Sequence, residues 1–189
     1  MRVIQILPQL NIGGVERGTL DLSRALIEQG HESFVISGGG ILVDELIKSG
    51  AKHYEIPVHI KSLRTLYLAK SLSEKISSID PDIVHVRSRM PAWVNYRAFK
   101  MLQKKPLLIS TFHGLYSFPI YSKVMSFVDH SIAISKTVEM YILENYKLDK
   151  DDITVIPRGC DPIEFNNDVI NPVDKANIIK EFPQIVGKK

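Results

Sequence analysis

The fold is indicated by the way the chain opens, where residues 3–17 read VIQILPQLNIGGVER. The first five of these, residues 3–7, are mostly apolar and β-branched, which is typical of a buried β-strand. Two adjacent glycines, Gly13 and Gly14, then lead into an amphipathic stretch that ends near Gly30. A short apolar strand, a glycine turn and a longer helical segment make up the first part of a β-α-β unit. The opening therefore predicts an α/β protein with a parallel sheet.

The same alternation of short β-branched runs and longer amphipathic runs continues along most of the chain. Strands are predicted at residues 3–7, 32–37, 52–56, 83–86, 107–111, 130–134 and 153–156. Helices are predicted between them at residues 14–29, 43–48, 63–79, 91–103, 119–127 and 135–145. Because most of these strands carry little polar alternation, we expect helices to cover both faces of the sheet.

Length, composition and charge limit the class of protein. The 189 residues are 44% hydrophobic and 24% charged, which excludes a disordered or collagen-like chain. The net charge of +3 suits anionic ligands but is too small to indicate nucleic acid as a partner. The single cysteine, Cys160, allows no intrachain disulfide and fits a reducing cytoplasm. No apolar run approaches the ~20 residues that a membrane-spanning helix needs.

The periodic pattern weakens after residue 165. Residues 1–165 are therefore predicted to form one α/β domain. Residues 166–189 contain the polar and Pro-containing segments NND and NP, and they are interpreted as a linker. We expect this linker to lead towards a further domain that the chain does not contain.

The glycine pair Gly13 and Gly14 is the first candidate binding site. Glycines at a strand-to-helix junction let the backbone approach a ligand closely. The helix that follows offers free N–H groups and a partial positive charge to a phosphate. The pattern is not G-x-G-x-x-G, although Gly18 is present, so no dinucleotide site is indicated. The alternative is that the two glycines only form a tight turn.

A second candidate site follows the fifth predicted strand, at His113 and Gly114. Ligands of open parallel sheets bind beyond the carboxyl ends of the strands. His113 is therefore placed to meet a substrate hydroxyl or phosphate, and Gly114 gives this loop room. The alternative is a structural histidine. That is the interpretation we give to His85, because apolar strand residues flank it on both sides.

A third candidate lies at residues 155–161, VIPRGCD, where a strand is followed by a turn and a polar loop. Arg158 in this turn could pair with a phosphate or a carboxylate. Taken alone, the segment indicates only a turn.

Five motifs in this order resemble the N-terminal half of glycosyltransferase family four, a group of retaining enzymes with the GT-B fold. They are residues 13–16 (GGVE), 80–85 (DPDIVH), 111–114 (TFHG), 133–135 (AIS) and 155–161 (VIPRGCD). The resemblance extends from residue 1 to about residue 165. It implies a Rossmann-like parallel sheet with helices on both faces, which is one half of a GT-B fold. The chain departs from the family pattern at Arg158, where Asn is usual, and at Cys160, where Val is usual.

The resemblance also implies a reaction and its participants. A nucleotide sugar would be the donor, held mainly by a C-terminal glycosyltransferase domain that joins in cis or in trans. Gly13 and Gly14 would bind the donor phosphate, and His113 would be the catalytic residue near the donor sugar. Neither a metal nor a separate cofactor is implied, because a helix terminus and basic side chains meet the phosphate charge. The residues assigned to the acceptor or the cleft are Glu16, Arg17, Gly114, Arg158 and Asp161. For Glu16, capping of its own helix is the favoured role.

The resemblance implies a lipid, saccharide or similar acceptor used on the cytoplasmic side in cell-envelope glycan or glycolipid synthesis. Residues 116–127 are aromatic and basic, which allows peripheral contact with an anionic membrane; the alternative is that they pack against the sheet. Without its C-terminal domain the chain is expected to be inactive. The alternative function is a non-catalytic Rossmann-like module that binds an acceptor or a partner protein. A small reductase is disfavoured, because G-x-G-x-x-G is absent from the sequence.

Overall fold

The structure, a computed structural model, describes residues 1–60, 65–117, 119–159 and 171–186. The chain forms two compact units, Met1–Pro157 and Arg158–Lys189. The strands of the first unit are β1 (Arg2–Ile6), β2 (Glu32–Ser37), β3 (Lys52–Glu55), β4 (Ile83–Val86), β5 (Leu107–Phe112), β6 (His130–Ala133) and β7 (Ile153–Val155). Its described helices are α1 (Gly14–Glu28), α2 (Val43–Lys48), α3 (Thr65–Ile79), α4 (Arg89–Phe99), α5 (Pro119–Ser122) and α6 (Lys136–Asn145).

The strands form one sheet in the order β3-β2-β1-β4-β5-β6-β7, and all neighbouring strands are parallel. The chain first winds outward from β1 through β2 to β3. It then returns to place β4 on the other side of β1. All strands therefore end at the same edge of the sheet, which we call the carboxyl edge. The predicted fold class, a Rossmann-like α/β sheet, is confirmed.

Helices cover both faces of the sheet, because the strands bury apolar side chains on both sides. On one face, Ile4 and Ile36 belong to the larger core cluster, which also includes Leu72 of α3 and Val94 of α4. On the other face, the smaller cluster contains the apolar residues Leu7, Leu10, Leu20, Val35, Leu46 and Ala51. This two-sided burial is the physical reason why the strands lack the polar alternation of a half-exposed sheet.

The face covered by α1 also contains buried polar residues, and these satisfy one another. The Gln5 side-chain amide donates to the Ser23 hydroxyl (2.9 Å) and to the Thr19 carbonyl (3.1 Å) of α1. The Ser33 hydroxyl donates to the same Ser23 hydroxyl (3.0 Å). Since a buried polar group is costly unless it is hydrogen-bonded, this network fixes how α1 lies on β1 and β2.

The predicted helix at residues 91–103 is wrong at both ends. Helix α4 begins at Arg89, after Ser88, which has extended backbone angles (φ −160°, ψ 155°), and it ends at Phe99. Pro91 occupies the third helical position, where the missing N–H has no intrahelical acceptor to lose. The predicted helix at residues 119–127 is divided into α5 and a 3-10 turn, Lys123–Ser126.

Ser135 is the N-cap of α6, because its hydroxyl accepts a hydrogen bond from the Val138 amide (3.2 Å). The second unit contains helix α7 (Pro172–Glu181) and a 3-10 turn, Pro183–Ile185. The predicted domain boundary at residue 165 lies outside the described residues. Among the described helices, none combines the length and the apolar character needed to cross a bilayer.

Candidate active site

The candidate site is organised by the point at which the strand order reverses. β1 and β4 are neighbours, yet the chain leaves β1 towards β2 on one side and leaves β4 towards β5 on the other. Loops that diverge in this way open a crevice beyond the carboxyl edge, which is where open α/β sheets bind ligands. The pairing of β1 with β4 extends one step past the strands, where the Arg87 amide donates to the Ile6 carbonyl (2.9 Å).

The glycine pair lies at the N-terminus of α1, on the loop that follows β1. Gly13 is the N-cap in an extended conformation (φ 173°, ψ 166°), and the helix begins at Gly14. The Glu16 carboxylate lies directly against Gly13, so that a Cβ atom at position 13 would overlap it. A side chain at position 13 would have to displace this carboxylate, which is the end of a flexible side chain, and the extended backbone of Gly13 does not itself require glycine. A carboxylate in the first helical turn complements the positive end of the helix, which supports the capping role predicted for Glu16.

A second glycine-rich loop, which was not predicted from the sequence, is hydrogen-bonded to the loop after β1. Gly39 and Gly40 follow β2, and the Leu10 amide donates to the Gly39 carbonyl (2.7 Å). The Leu42 amide donates to the Leu10 carbonyl (2.8 Å) from the other side. Gly40 has a φ of +141°, and a Cβ atom there would overlap the Leu10 carbonyl. The sequence pattern that indicates this loop is a run of three consecutive glycines, residues 38–40, directly after a predicted strand.

Arg87, which comes directly after β4, is a further residue of this region that was not predicted from the sequence. Its side chain is only 6% exposed, and its guanidinium donates to the Gln5 side-chain oxygen (2.9 Å). Because Gln5 also holds Ser23 of α1, the arginine at the reversal point is connected to the helix that carries the glycine pair. A charged residue immediately after an apolar strand was the available signal.

His85 is structural, as predicted. It is 5% exposed, and its Nε2 atom forms a hydrogen bond with the Thr111 hydroxyl (2.7 Å) on β5. Burial holds the pKa of His85 well below its ordinary value, and Arg87 and His113 act in the same direction. His85 is thus neutral near pH 7.

His113 lies at the carboxyl edge, immediately after β5. His113 is partly buried, and its backbone forms a hydrogen bond with the Tyr116 side chain. Around Gly114 there is open space, since a Cβ atom there would meet no atom within 4 Å. β5 and β1 are separated by β4 alone, so two strand spacings, ~10 Å, separate the strands that carry the two predicted sites.

Two of the aromatic residues of segment 116–127 pack around Arg89, the first residue of α4. The guanidinium lies 4.7 Å from the Tyr116 ring centre and 5.6 Å from the Tyr121 ring centre. These two rings therefore pack against the protein, which agrees with the alternative that the segment packs and does not contact a membrane. Ile120, in contrast, is 90% exposed. Phe118 lies outside the described residues.

Three of the predicted site residues remain, namely Arg17, Arg158 and Asp161. Arg17 of α1 pairs with Glu45 of α2 (2.9 Å), and Arg24 pairs with the same carboxylate (2.7 Å). Arg158 belongs to the second unit, and Asp161 lies outside the described residues. No group of three or more His, Cys, Asp or Glu side chains able to hold a metal occurs in the described ranges.

Comparison with known proteins identifies the family. The sequence profile of Glycosyltransferase Family 4 matches residues 12–164. A crystal structure of a glycosyltransferase from Rickettsia africae is 35% identical and superposes with a TM-score of 0.76, covering 96% of this chain and 49% of that one. Anabaena HepE, solved in complex with UDP and glucose, is 14% identical with a TM-score of 0.74, covering 96% of this chain and 50% of that one.

A curated human protein, one of the subunits of phosphatidylinositol N-acetylglucosaminyltransferase, is 25% identical over an alignment of 185 residues that covers 89% of this chain and 38% of that protein. The chain thus spans about half the length of the solved structures that it matches and a smaller share of the curated relative. With a profile match across most of its residues, on the fold that those structures share, the chain belongs to Glycosyltransferase Family 4.

Proposed function

We propose that this chain is the acceptor-side half of a retaining glycosyltransferase that transfers a sugar from a nucleotide-sugar donor. The observation that supports the proposal is that two chemically different groups follow strands at the carboxyl edge of the sheet. The N-terminus of α1, with Gly13 and Gly14, lies on one side of the reversal point, and His113 lies on the other. Family membership gives this arrangement its chemical meaning.

Both groups suit the negative charge that develops during sugar transfer. As the bond between the sugar and the diphosphate breaks, negative charge develops on the departing phosphate. The backbone N–H groups of the first turn of α1 and its positive end attract that charge. His113 is placed to hydrogen-bond the donor sugar or the departing phosphate. Arg87 adds a positive charge behind the crevice, and its tie to Gln5 keeps it close to α1.

A donor-binding half would complete the site, because the chain spans about half the length of its solved relatives. We expect no turnover until a C-terminal glycosyltransferase domain is present in cis or in trans. The name of the human relative supports a glycolipid acceptor, and a second neighbour is a lipopolysaccharide outer core galactosyltransferase. Synthesis of a cell-envelope glycan or glycolipid at the cytoplasmic face of a membrane, with peripheral contact to anionic lipid, fits these names.

Complementation tests the proposal. The 189-residue chain would be mixed with the remaining half of the Rickettsia africae glycosyltransferase, and UDP-sugars and GDP-sugars would be supplied with a lipid extract as the acceptor source. Release of nucleoside diphosphate is expected only when both halves are present. Each half alone is the control. Robust sugar transfer by this chain alone would contradict the proposal.

The alternative, a non-catalytic module that binds an acceptor or a partner protein, makes the opposite prediction in the same experiment. A binding module would retain lipid or saccharide from the extract and would gain no turnover from any donor-binding half. The distribution of product between the mixed and the separate halves therefore distinguishes the two functions.

A further inference from the structure

A cavity of about 650 Å³ lies at the amino edge of the sheet, the edge opposite to the candidate active site. Its apolar wall is formed by the end of α4, the beginning of β5 and the segment before β6, including Tyr96, Phe99, Leu107 and Phe127. The Tyr96 and Phe127 rings contact each other with their centres 5.3 Å apart. Leu107 and Phe127 remain 47% and 39% exposed, so apolar surface is open at the cavity. This volume is within the range of small-molecule sites.

Lysine side chains surround the apolar wall. Lys100 and Lys105 line the cavity, and the Lys100 ammonium lies 4.3 Å from the Tyr96 ring centre. Lys123 lies 6.0 Å from the Phe127 ring centre. Within the described ranges, neither Lys100 nor Lys105 forms an ion pair with a carboxylate. The one acidic residue of the lining, Asp129, already accepts a hydrogen bond from the Leu108 amide (2.8 Å).

The cavity is separate from the crevice at the carboxyl edge. Both are in contact with β5, but Leu108 lines the cavity at one end of this strand and His113 follows the other end. Five residues of extended strand separate these two positions, which corresponds to about 16 Å. A small molecule in the cavity therefore leaves the crevice open.

We propose that this cavity is a second ligand site, which binds an amphiphilic organic anion. The apolar part of the ligand would lie against Tyr96 and Phe127, and its phosphate or carboxylate would meet Lys100 and Lys105. An aromatic wall with ammonium groups at its margin suits such a ligand, because the apolar part is removed from water while the anion pairs at the solvent boundary. Two sources supply this chemistry: a soluble anion with an apolar group, and the headgroup of an anionic phospholipid.

The test uses octyl phosphate below its aggregation concentration, titrated into the ¹⁵N-labelled 189-residue chain. Chemical-shift changes are expected at the amides of Lys100, Val128 and Asp129, and not at Gly14 or His113. Inorganic phosphate and 1-octanol, each alone, should give much weaker changes. Shifts that occur instead at the carboxyl edge, or equal shifts with 1-octanol, would overturn the proposal.

A charge variant and a matched control complete the test. The double variant Lys100→Gln/Lys105→Gln should bind octyl phosphate about tenfold more weakly, because it loses both ammonium groups. Lys48→Gln/Lys147→Gln removes the same charge from two exposed positions outside the lining and should bind like the wild type. Equal affinity of the two double variants would refute the site.

Vesicles distinguish the two sources. Co-sedimentation with phosphatidylglycerol vesicles but not with phosphatidylcholine vesicles, lost in Lys100→Gln/Lys105→Gln, would identify a lipid headgroup as the ligand. Octyl phosphate binding without co-sedimentation would identify a soluble anion. Co-sedimentation that the double variant retains would place the lipid contact elsewhere and exclude a lipid headgroup as the ligand of this cavity. All readouts are binding measurements, so they do not depend on the proposed sugar transfer.

Discussion

At the scale of single residues, two histidines on neighbouring strands have opposite surroundings. His85 is enclosed between β1 and β5, with Thr111 as its hydrogen-bond partner. His113 lies past the end of β5, at the edge where ligands bind. The difference is one of position along the strand: His85 packs in the middle of a covered strand, whereas His113 lies beyond the end of its strand and is partly buried there.

Replacement of His113 by Ala should reduce the turnover of the complemented enzyme by about two to three decades, a barrier increase of ~3–4 kcal/mol, because a preorganised donor is lost at the developing charge. Acceptor affinity and the free energy of unfolding should change little. Steady-state kinetics and denaturant unfolding measure these quantities. His85→Ala is the control and should lower the free energy of unfolding by ~1–3 kcal/mol. Equal destabilisation by both variants, with unchanged activity per folded molecule, would assign His113 a structural role.

Stability should fall as the pH is lowered, with His85 as one cause. Because its pKa is lower in the folded chain than in the unfolded chain, the folded state binds fewer protons. The contribution of His85 to the free energy of unfolding is complete above the pKa of the unfolded chain, ~6.5. It is lost as the pH falls below this value, and the free energy of unfolding then decreases by up to ~1.4 kcal/mol per pH unit.

His85→Gln should therefore have a shallower decrease in the free energy of unfolding between pH 7.5 and 5.5 than the wild type. His53, whose pKa is also lowered by burial, remains in both proteins and cancels in the comparison. Urea unfolding at each pH measures the difference. Parallel pH profiles of the two proteins would show that His85 is not the titrating group.

At the scale of elements, the loop after β1 depends on the loop after β2. The backbone of Leu10 is hydrogen-bonded on both sides by Gly39 and Leu42, so the segment that leads to Gly13 is held by its neighbour. Gly40 makes this contact possible, because no side chain separates it from the Leu10 carbonyl. The position of the α1 N-terminus thus depends on a glycine 26 residues after Gly14.

Gly40→Ala should lower the free energy of unfolding by ~1–3 kcal/mol, because its φ of +141° is strained for an L-residue and its Cβ atom overlaps the Leu10 carbonyl. Gly114→Ala is the matched control. The backbone of Gly114 is not in the positive-φ region and no atom lies near its added Cβ, so we expect a change within ~0.5 kcal/mol. Denaturant unfolding measures the free energy of unfolding of both variants. Similar values for the two variants would contradict the close approach of the two loops.

At the scale of the whole molecule, the sheet and both apolar clusters lie within Met1–Pro157. A domain with its own sheet, core and helical layers is expected to fold by itself. The candidate crevice and the amino-edge cavity also belong to this unit, at opposite ends of the strands.

A chain that ends at Pro157 should therefore retain its circular dichroism per residue and its cooperative unfolding, with a free energy of unfolding within ~1 kcal/mol of the full chain. A chain that ends at Asp152 should be less stable by ~2 kcal/mol or more, because it lacks β7 and the buried Ile153. Loss of cooperative unfolding in the first of these chains would show that residues 158–189 are required for the fold.

The sequence was sufficient to predict the strands and most helices because their signals are local. β2 and β4 were predicted with their observed bounds, since each is a β-branched run ended by turn or polar residues. α4 was mispredicted, because Pro91 was interpreted as the helix start, although a proline is equally acceptable at the third position. The family was recognised from five short motifs, four of them at a strand end or a helix start and one, residues 80–85, at the beginning of β4.

The amino-acid sequence by itself determined the α/β class, the strands, the family resemblance and the candidacy of Gly13, Gly14 and His113, since each follows from residue types at short spacing. Only the tertiary structure decided that Arg87 lies buried at the reversal point, that Gly40 supports the loop after β1, and that a basic aromatic cavity opens at the opposite edge. The physical reason is long-range pairing. The place of β4 beside β1 brings Gln5 and Arg87 into hydrogen-bonding contact across 82 positions, and no local pattern encodes that partner.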